Sequence, residues 1–367
     1  MLFALLLACT EPIKGGPPEP DPAPDTGTAD TDTPVDTAVE TTDTGTTESP
    51  CGVTLDTERL DAALSWLESN TNYIDSMLVY HCGEPVVATY RNGYDADTPH
   101  DMQSATKTFA AVLIGIAMQQ GLIDSVDTPL STLLPDHAHL LTGEKAKITL
   151  YQVLTMTTGL RWVDFGVENS FDRIADAEDS VAFVLSEPLT TPPGDVFAYN
   201  TGSSHLLSAV ITALTGQSAA DYAAAHLFIP LGMAAVDWPA LSDGVSQGGW
   251  GIHMRPVDFA AMGQLLLDHG VYNSTTLLSA DFVDAATLAQ VDTGYGGYGY
   301  QMWIEPDLFD AADIAAARGY GGQDCFVLEE LDMVVVFTGS IDHPVEMAGD
   351  VRDLMNGFII PAHPGAG

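Results

Sequence analysis

The segment His100-Asp101-Met102-Gln103-Ser104-Ala105-Thr106-Lys107-Thr108-Phe109 sets a serine and a lysine three residues apart, at the head of an apolar run that continues to Ala117. On a helix, residues three apart share a face, so the Lys107 amine reaches the Ser104 hydroxyl. A serine hydroxyl is a poor nucleophile until a base takes its proton. A lysine supplies that base when burial lowers its pKa, because desolvation disfavours the ammonium form. Lysine is scarce in this chain, occurring only as Lys14, Lys107, Lys145 and Lys147. One placed at the start of a buried helix, with no acidic neighbour in sequence, costs free energy that only chemistry justifies. The pattern predicts one helix from Ser104 to Gln120, closed by Gly121. Ser104 then lies at the helix N-terminus, where unpaired amides and the dipole favour a developing anion.

Further segments lie on both sides of this one. Asn92-Gly93-Tyr94-Asp95-Ala96-Asp97-Thr98-Pro99 precedes it. Ile148-Thr149-Leu150 leads to Leu154-Thr155-Met156-Thr157-Thr158-Gly159-Leu160, and Pro193-Gly194-Asp195-Val196-Phe197-Ala198-Tyr199 follows. Gly248-Gly249-Trp250-Gly251-Ile252 and Met254-Arg255-Pro256 come next. In this order the set resembles the β-lactamase-related serine hydrolases over about residues 76–338. That family takes in class C β-lactamases, penicillin-recognising enzymes, esterases and 6-aminohexanoate-dimer hydrolases. The resemblance implies Ser104 as nucleophile, Lys107 as its base and Tyr199 as the partner that returns a proton to the leaving group.

Two departures from the family pattern bear on substrate. The family's Tyr-x-Asn reads Tyr199-Asn200-Thr201 here, so a hydroxyl with one donor stands where an amide would offer two. The family's Lys-Thr-Gly strand motif is matched best by Gly319-Tyr320-Gly321-Gly322-Gln323, with Tyr320 in the first position. Gly321 and Gly322 would let the backbone approach substrate, and the Gln323 amide would join that of Ser104 as an oxyanion hole. No lysine is left there to hold a substrate carboxylate. Both changes point toward esters or amides rather than penicillin-like substrates. Thr201, Tyr320, Gly321, Gly322, Trp162 and Trp250 are the candidate substrate contacts. Tyr298, Tyr300 and Trp303 are further aromatics for the pocket or the core.

The bulk properties constrain partners. A net charge of −40 repels nucleic acid phosphates and anionic lipid headgroups. With 46% apolar residues, 367 residues suffice for one large domain or two small ones. Leu2 to Ala8 with Cys9 resembles a bacterial lipobox, which implies a signal segment at 1–9, lipid on Cys9 and an exported protein of the cell envelope. Residues 10–50, rich in Pro, Thr and Asp, cannot repay the entropy of ordering and read as a flexible tether. If Cys9 carries lipid, Cys51, Cys82 and Cys325 remain. One bridge is possible, and Cys51–Cys82 would tie the domain's start to an early strand, leaving Cys325 as a buried thiol.

In the folded part, 51–362, Leu60, Leu64 and Leu67 mark a helix over 54–69. Residues 76–81 and 86–90 read as a hairpin turning at Gly83-Glu84-Pro85. Helices are expected over 149–156, 202–214 and from Pro256 to about 269. Strands are expected at 297–304, 325–328 and 333–338, before a closing helix over 345–358. Strands at both ends around a helical middle predict an α/β fold of the α+β type, β-lactamase/transpeptidase-like. It would have one antiparallel sheet flanked by helices, with an inserted helical lobe at about 101–245. The site would lie between sheet and lobe.

No metal or cofactor is called for: Cys-x-x-Cys and His-Glu-x-x-His are absent, and His137 and His139 sit in a loop after Pro135. Gly-x-Ser-x-Gly is also absent, and Gly202-Ser203-Ser204-His205 reads as a helix cap. Three functions remain: an esterase or amidase acting on a small-molecule or peptide-like acyl substrate; a D-amino-acid peptidase directed at peptidoglycan, or a β-lactamase; and a non-catalytic envelope binding protein.

Overall fold

The computed structural model describes residues 51–164, 169–234, 236–305 and 314–366. Cys9 and the tether lie outside the described residues. The chain begins with α1 (Thr57–Asn70), capped by Asp56, whose carboxylate accepts the Arg59 amide. Leu60, Ala63 and Leu67 form its buried stripe. The hairpin of β1 (Ile74–His81) and β2 (Glu84–Tyr90) follows. Its turn is Cys82-Gly83, with φ of 52° and 78°, rather than Gly83-Glu84-Pro85. A two-residue turn of this kind matches the twist of its strands. Pro85 is tolerated inside β2 because β2 is an edge strand.

After β3 (His100–Asp101) comes the helical layer. It includes α2 (Thr106–Gln119), α3 (Leu150–Leu154), α4 (Ser180–Ser186) and α5 (Thr201–Thr215). Thr149 and Gln152 form a capping box on α3, and Gly216 ends α5 in the left-handed region at φ 69°. β4 (His253–Met254) pairs with β3, and α6 (Pro256–Leu267) opens with proline as expected. Past a short ribbon of Val271–Tyr272 with Thr275–Thr276, the strands of the main sheet are β5 (Val291–Asp292), β6 (Gly297–Tyr298), β7 (Trp303–Ile304), β8 (Ala315–Gly319), β9 (Gln323–Leu328) and β10 (Met333–Gly339). α7 (Pro344–Leu354) closes the domain.

One antiparallel sheet results, in the order β2-β1-β10-β9-β8-β7-β6-β5. Strands from both ends of the chain meet where β1 pairs with β10. The central strands are buried on both faces. In β10, Val334 and Val336 face the helical layer, while Val335 and Phe337 face the core shared with α1 and α7. Each such side chain contributes roughly 1.5–3 kcal/mol by leaving water.

Two expectations about strands needed revision. Residues 297–304 are not one strand but β6 and β7, reversed at a turn where Gln301 has φ 58°. β8, built of Ala315-Ala316-Ala317-Arg318-Gly319, escaped the sequence reading because alanine has low strand propensity. In a sheet interior, available space rather than propensity decides.

Cys51 and Cys82 are joined in a disulfide, Cα to Cα 5.9 Å, and Cys325 is a buried thiol. Gln301 is buried and binds three helices to the β6–β7 turn. Its amide donates to the Val153 and Leu154 carbonyls at 2.9 and 3.0 Å and accepts from Ser204 Oγ at 2.7 Å. Its own carbonyl accepts from Thr108 Oγ1 at 2.8 Å. Gln301→Ala leaves Ser204 Oγ and the Val153 carbonyl without their side-chain partner, while the Thr108 bond to the backbone remains, and is expected to cost about 2–4 kcal/mol in urea unfolding at an unchanged m-value. A loss below about 1 kcal/mol contradicts this role.

Candidate active site

The local fold explains how Ser104 is presented. The Asp101 carboxylate accepts the Gln103 amide at 2.9 Å, and Gln103 has φ 49°. The backbone turns sharply there, and a single 3₁₀ turn, Gln103–Ala105, carries Ser104 ahead of α2. The expected single helix from Ser104 is therefore two pieces. The Met102 amide donates to the Ile252 carbonyl at 2.8 Å, and the Ile252 amide donates to Thr106 Oγ1 at 3.1 Å. These bonds stitch the nucleophile turn to the loop that follows Gly248-Gly249.

Lys107, in the first turn of α2, is 1% exposed. Its Nζ lies 2.9 Å from Ser104 Oγ and donates to the Gly249 carbonyl at 2.6 Å. Burial lowers its pKa from 10.5 to about 7, partly opposed by the negative charge of Asp164. Tyr199 closes the third side, with Lys107 Nζ 4.9 Å from its ring centroid. The Tyr199 ring stacks on Trp303, with centroids 5.6 Å apart and planes at 21°. Trp303 is in turn braced by Phe197 and Tyr298. Ser104, Lys107 and Tyr199 are thus brought together from two distant parts of the chain.

The other expected site residues fall in varied places. Thr201 is buried at the first position of α5, its carbonyl and methyl packed against Gly249. Asn200 is the cap of that helix: its Oδ1 accepts the Ser203 amide at 2.9 Å and its Nδ2 donates to the Leu160 carbonyl at 3.0 Å. Trp162 lies over Gly202 and donates from Nε1 to Asp164 at 2.8 Å. Trp250 packs on Phe171 with centroids 4.4 Å apart. Both indoles are half-buried. Tyr298 and Tyr300 are buried in the core.

The glycine motif differs in detail from the expectation. Tyr320, Gly321 and Gly322 form the turn between β8 and β9 rather than a strand, and Gln323 is the first residue of β9. β8 is interior to the sheet. Gly319, its last residue, closes on the nucleophile turn: a Cβ there would collide with the Met102 carbonyl. Gly321 and Gly322 have φ of 81° and 79° and pack against Ile341 and Met347, so their lack of a side chain serves the turn and those contacts. The buried Gln323 amide donates to the Gly339 carbonyl at 2.7 Å and staples this turn to β10.

Sequence reasoning missed Asp164 and the Gly249 carbonyl, and left Trp303 open between pocket and core. Asp164 and Trp303 lie 57 and 196 residues from Lys107 in sequence and reach the site only through tertiary packing. Arg255, in the Met-Arg-Pro segment, is structural. It pairs with Asp258 at 2.8 and 2.9 Å and with Asp97 at 3.2 Å, tying the loop after β2 to α6. Among the described residues one group has metal-ligand spacing, Cys51, His81 and Cys82, and its two sulfurs form the disulfide. His137 is paired with Asp179 at 3.0 Å.

The β-lactamase family profile matches residues 75–356. The chain belongs to the β-lactamase family. This superfamily of hydrolases includes enzymes acting on esters and amides. Among curated proteins, "Protein flp" of Staphylococcus aureus (strain MW2) is 27% identical over 139 residues, covering 37% of this chain and 27% of its own. The 6-aminohexanoate-dimer hydrolase of Paenarthrobacter ureafaciens is 24% identical over 226 residues, covering 57% of this chain and 56% of its own. The chain therefore spans between about a quarter and about half the length of these relatives. A solved family VIII carboxylesterase superposes with a TM-score of 0.66 at 18% identity, covering 85% of this chain and 97% of that one.

The buried amine of this β-lactamase-family chain gives a stability prediction. Folding lowers the Lys107 pKa, so between about pH 7 and 10.5 the unfolded chain binds more protons, and stability rises with pH across that window. At neutral pH and below, Lys107 is a net burden. Lys107→Met is expected to raise stability by about 1–3 kcal/mol at pH 7, with a smaller gain at pH 10, by thermal or urea unfolding. A destabilised Lys107→Met protein contradicts the desolvated-amine description.

Proposed function

We propose that the chain is a serine hydrolase that cleaves an ester or amide bond through an acyl intermediate on Ser104. The observation that carries this reading is the 2.9 Å contact between Ser104 Oγ and a buried Lys107 amine whose pKa falls to about 7. One Lys107 N–H is held by the Gly249 carbonyl, which leaves the lone pair of the neutral amine to accept the Ser104 proton. Ser104 Oγ then attacks the acyl carbon. The tetrahedral oxyanion is received by the Ser104 amide and by a second backbone amide at the end of β8. That second donor fits Gly319–Tyr320 better than Gln323, because Gly319 borders the nucleophile turn. Tyr199, beside Lys107, passes the proton to the leaving group. Water releases the acyl group by the reverse path.

Esters or amides are favoured over penicillin-like substrates. Thr201 is buried against Gly249, and the turn after β8 carries Tyr320 where a carboxylate-binding lysine would be needed. The names of the 6-aminohexanoate-dimer hydrolase and the family VIII carboxylesterase support the same class. The hydrolase domain is placed at 51–362, with its helical lobe at about 101–245. Export as an envelope lipoprotein anchored through Cys9 is part of the proposal, supported by the lipobox-like Leu6-Leu7-Ala8-Cys9 and the Cys51–Cys82 disulfide.

A fluorophosphonate probe is expected to label the protein at Ser104 and to lose all labelling in Ser104→Ala. The labelling rate should rise about tenfold per pH unit below pH 7 and level off above it, as Lys107 loses its proton. A fluorescent penicillin is expected not to label. Labelling by both reagents moves the reading to a peptidase or β-lactamase, and labelling by neither to a binding protein.

A further inference from the structure

His205 and Ser180 form a buried pair outside the catalytic group. His205, in α5, is fully buried, and its Nε2 lies 2.7 Å from Ser180 Oγ at the start of α4. Its Nδ1 accepts the Gly248 amide at 3.4 Å, which places the ring proton on Nε2, donating to Ser180. The Ser180 hydroxyl and amide both hydrogen-bond the Asp243 carboxylate. The chain of donors thus runs from Gly248 through His205 and Ser180 to Asp243. Burial holds the imidazole neutral, with a pKa of about 4, and Asp243 opposes that shift. The constellation has the residue types of a hydrolytic triad, but Ser180 is fully buried, so no substrate reaches it.

Its consequence lies at the other end. Gly248 and Gly249 lie flat on α5: a Cβ at Gly248 would be 2.7 Å from the Ser204 carbonyl, and one at Gly249 2.8 Å from the Thr201 carbonyl. The carbonyl one residue beyond the amide that His205 holds, that of Gly249, accepts the Lys107 N–H. We propose that His205 is a positioning residue that fixes the Gly248-Gly249 backbone so that the Gly249 carbonyl orients the Lys107 amine toward Ser104. This deepens the serine-hydrolase reading and rests on it for its catalytic consequence. Around Lys107 the groups that compete for its proton or charge are Ser104, Tyr199 and Asp164. His205 holds the Gly248 amide and the Gly249 carbonyl holds Lys107, so the effect of His205 on Lys107 is exerted through the glycine loop.

With only four lysines, ¹⁵N-lysine labelling of the full chain lets the Lys107 amine be followed directly. His205→Leu removes both hydrogen bonds, whereas a glutamine side chain can accept from Gly248 and donate to Ser180. The expected result is a Lys107 midpoint displaced by about half a pH unit or more in His205→Leu and close to wild type in His205→Gln. Fluorophosphonate labelling of Ser104 should be about tenfold slower in His205→Leu and within about threefold of wild type in His205→Gln, with the deficit in rate at saturation rather than in probe binding. Ser180→Ala, which keeps the fold if His205→Leu does not, should displace the midpoint in the same direction by a smaller amount. An unchanged Lys107 midpoint in folded His205→Leu or Ser180→Ala overturns the proposal. If the midpoint moves while the wild type is never labelled, the positioning role stands and the hydrolase reading falls.

Discussion

A lysine side chain 1% exposed, with its nitrogen against a serine hydroxyl and a backbone carbonyl, has exchanged its hydration for two directed contacts. Desolvation disfavours the ammonium form, and the rest of the site is arranged around an amine that must be neutral and correctly turned. The apolar character of α2 buries it. The Gly248-Gly249 loop can approach closely enough to bind it only because neither residue carries a side chain. Tyr199, stacked on Trp303, covers the remaining side. The nearest charged influence, Asp164, raises the Lys107 pKa without overcoming burial.

The fold supplies this environment by closing one sheet from both ends of the chain. β1 and β10 pair inside the sheet, next to the edge strand β2, and the helices between them pack on one face. The nucleophile turn follows β3, which pairs with β4, so the start and the end of the helical layer are fastened together beside Ser104. Gln301 fixes α2, α3 and α5 relative to the β6–β7 turn, and β7 carries Trp303. Rigid elements therefore hold each side of the catalytic group, which is what a preorganised site requires.

What could be read from sequence was local. Ser104 and Lys107 are one turn apart, and the proline that opens α6 and the glycine that follows α2 obey nearest-neighbour rules, whereas the Asn200 cap was not read. The antiparallel sheet flanked by helices followed from the order of strand and helix patterns. What could not be read depends on register or on backbone contacts across the chain. The Gly249 carbonyl lies 142 residues from Lys107 and carries no side-chain signal. The glycine motif was expected on a strand but forms the turn after β8, whose alanine-rich sequence does not look like a strand. His205 looked like part of a helix cap, since its partners Ser180 and Gly248 lie 25 and 43 residues away. The stack of Tyr199 on Trp303 joins residues whose pairing only the folded sheet defines.

The most direct test of this account is the titration of the Lys107 amine in the unmodified protein, followed by ¹⁵N resonance through pH 5 to 11. The account predicts that the Lys107 amine titrates near pH 7. A Lys107 midpoint near 10 contradicts it, since the amine would then be charged at neutral pH and unable to accept the Ser104 proton.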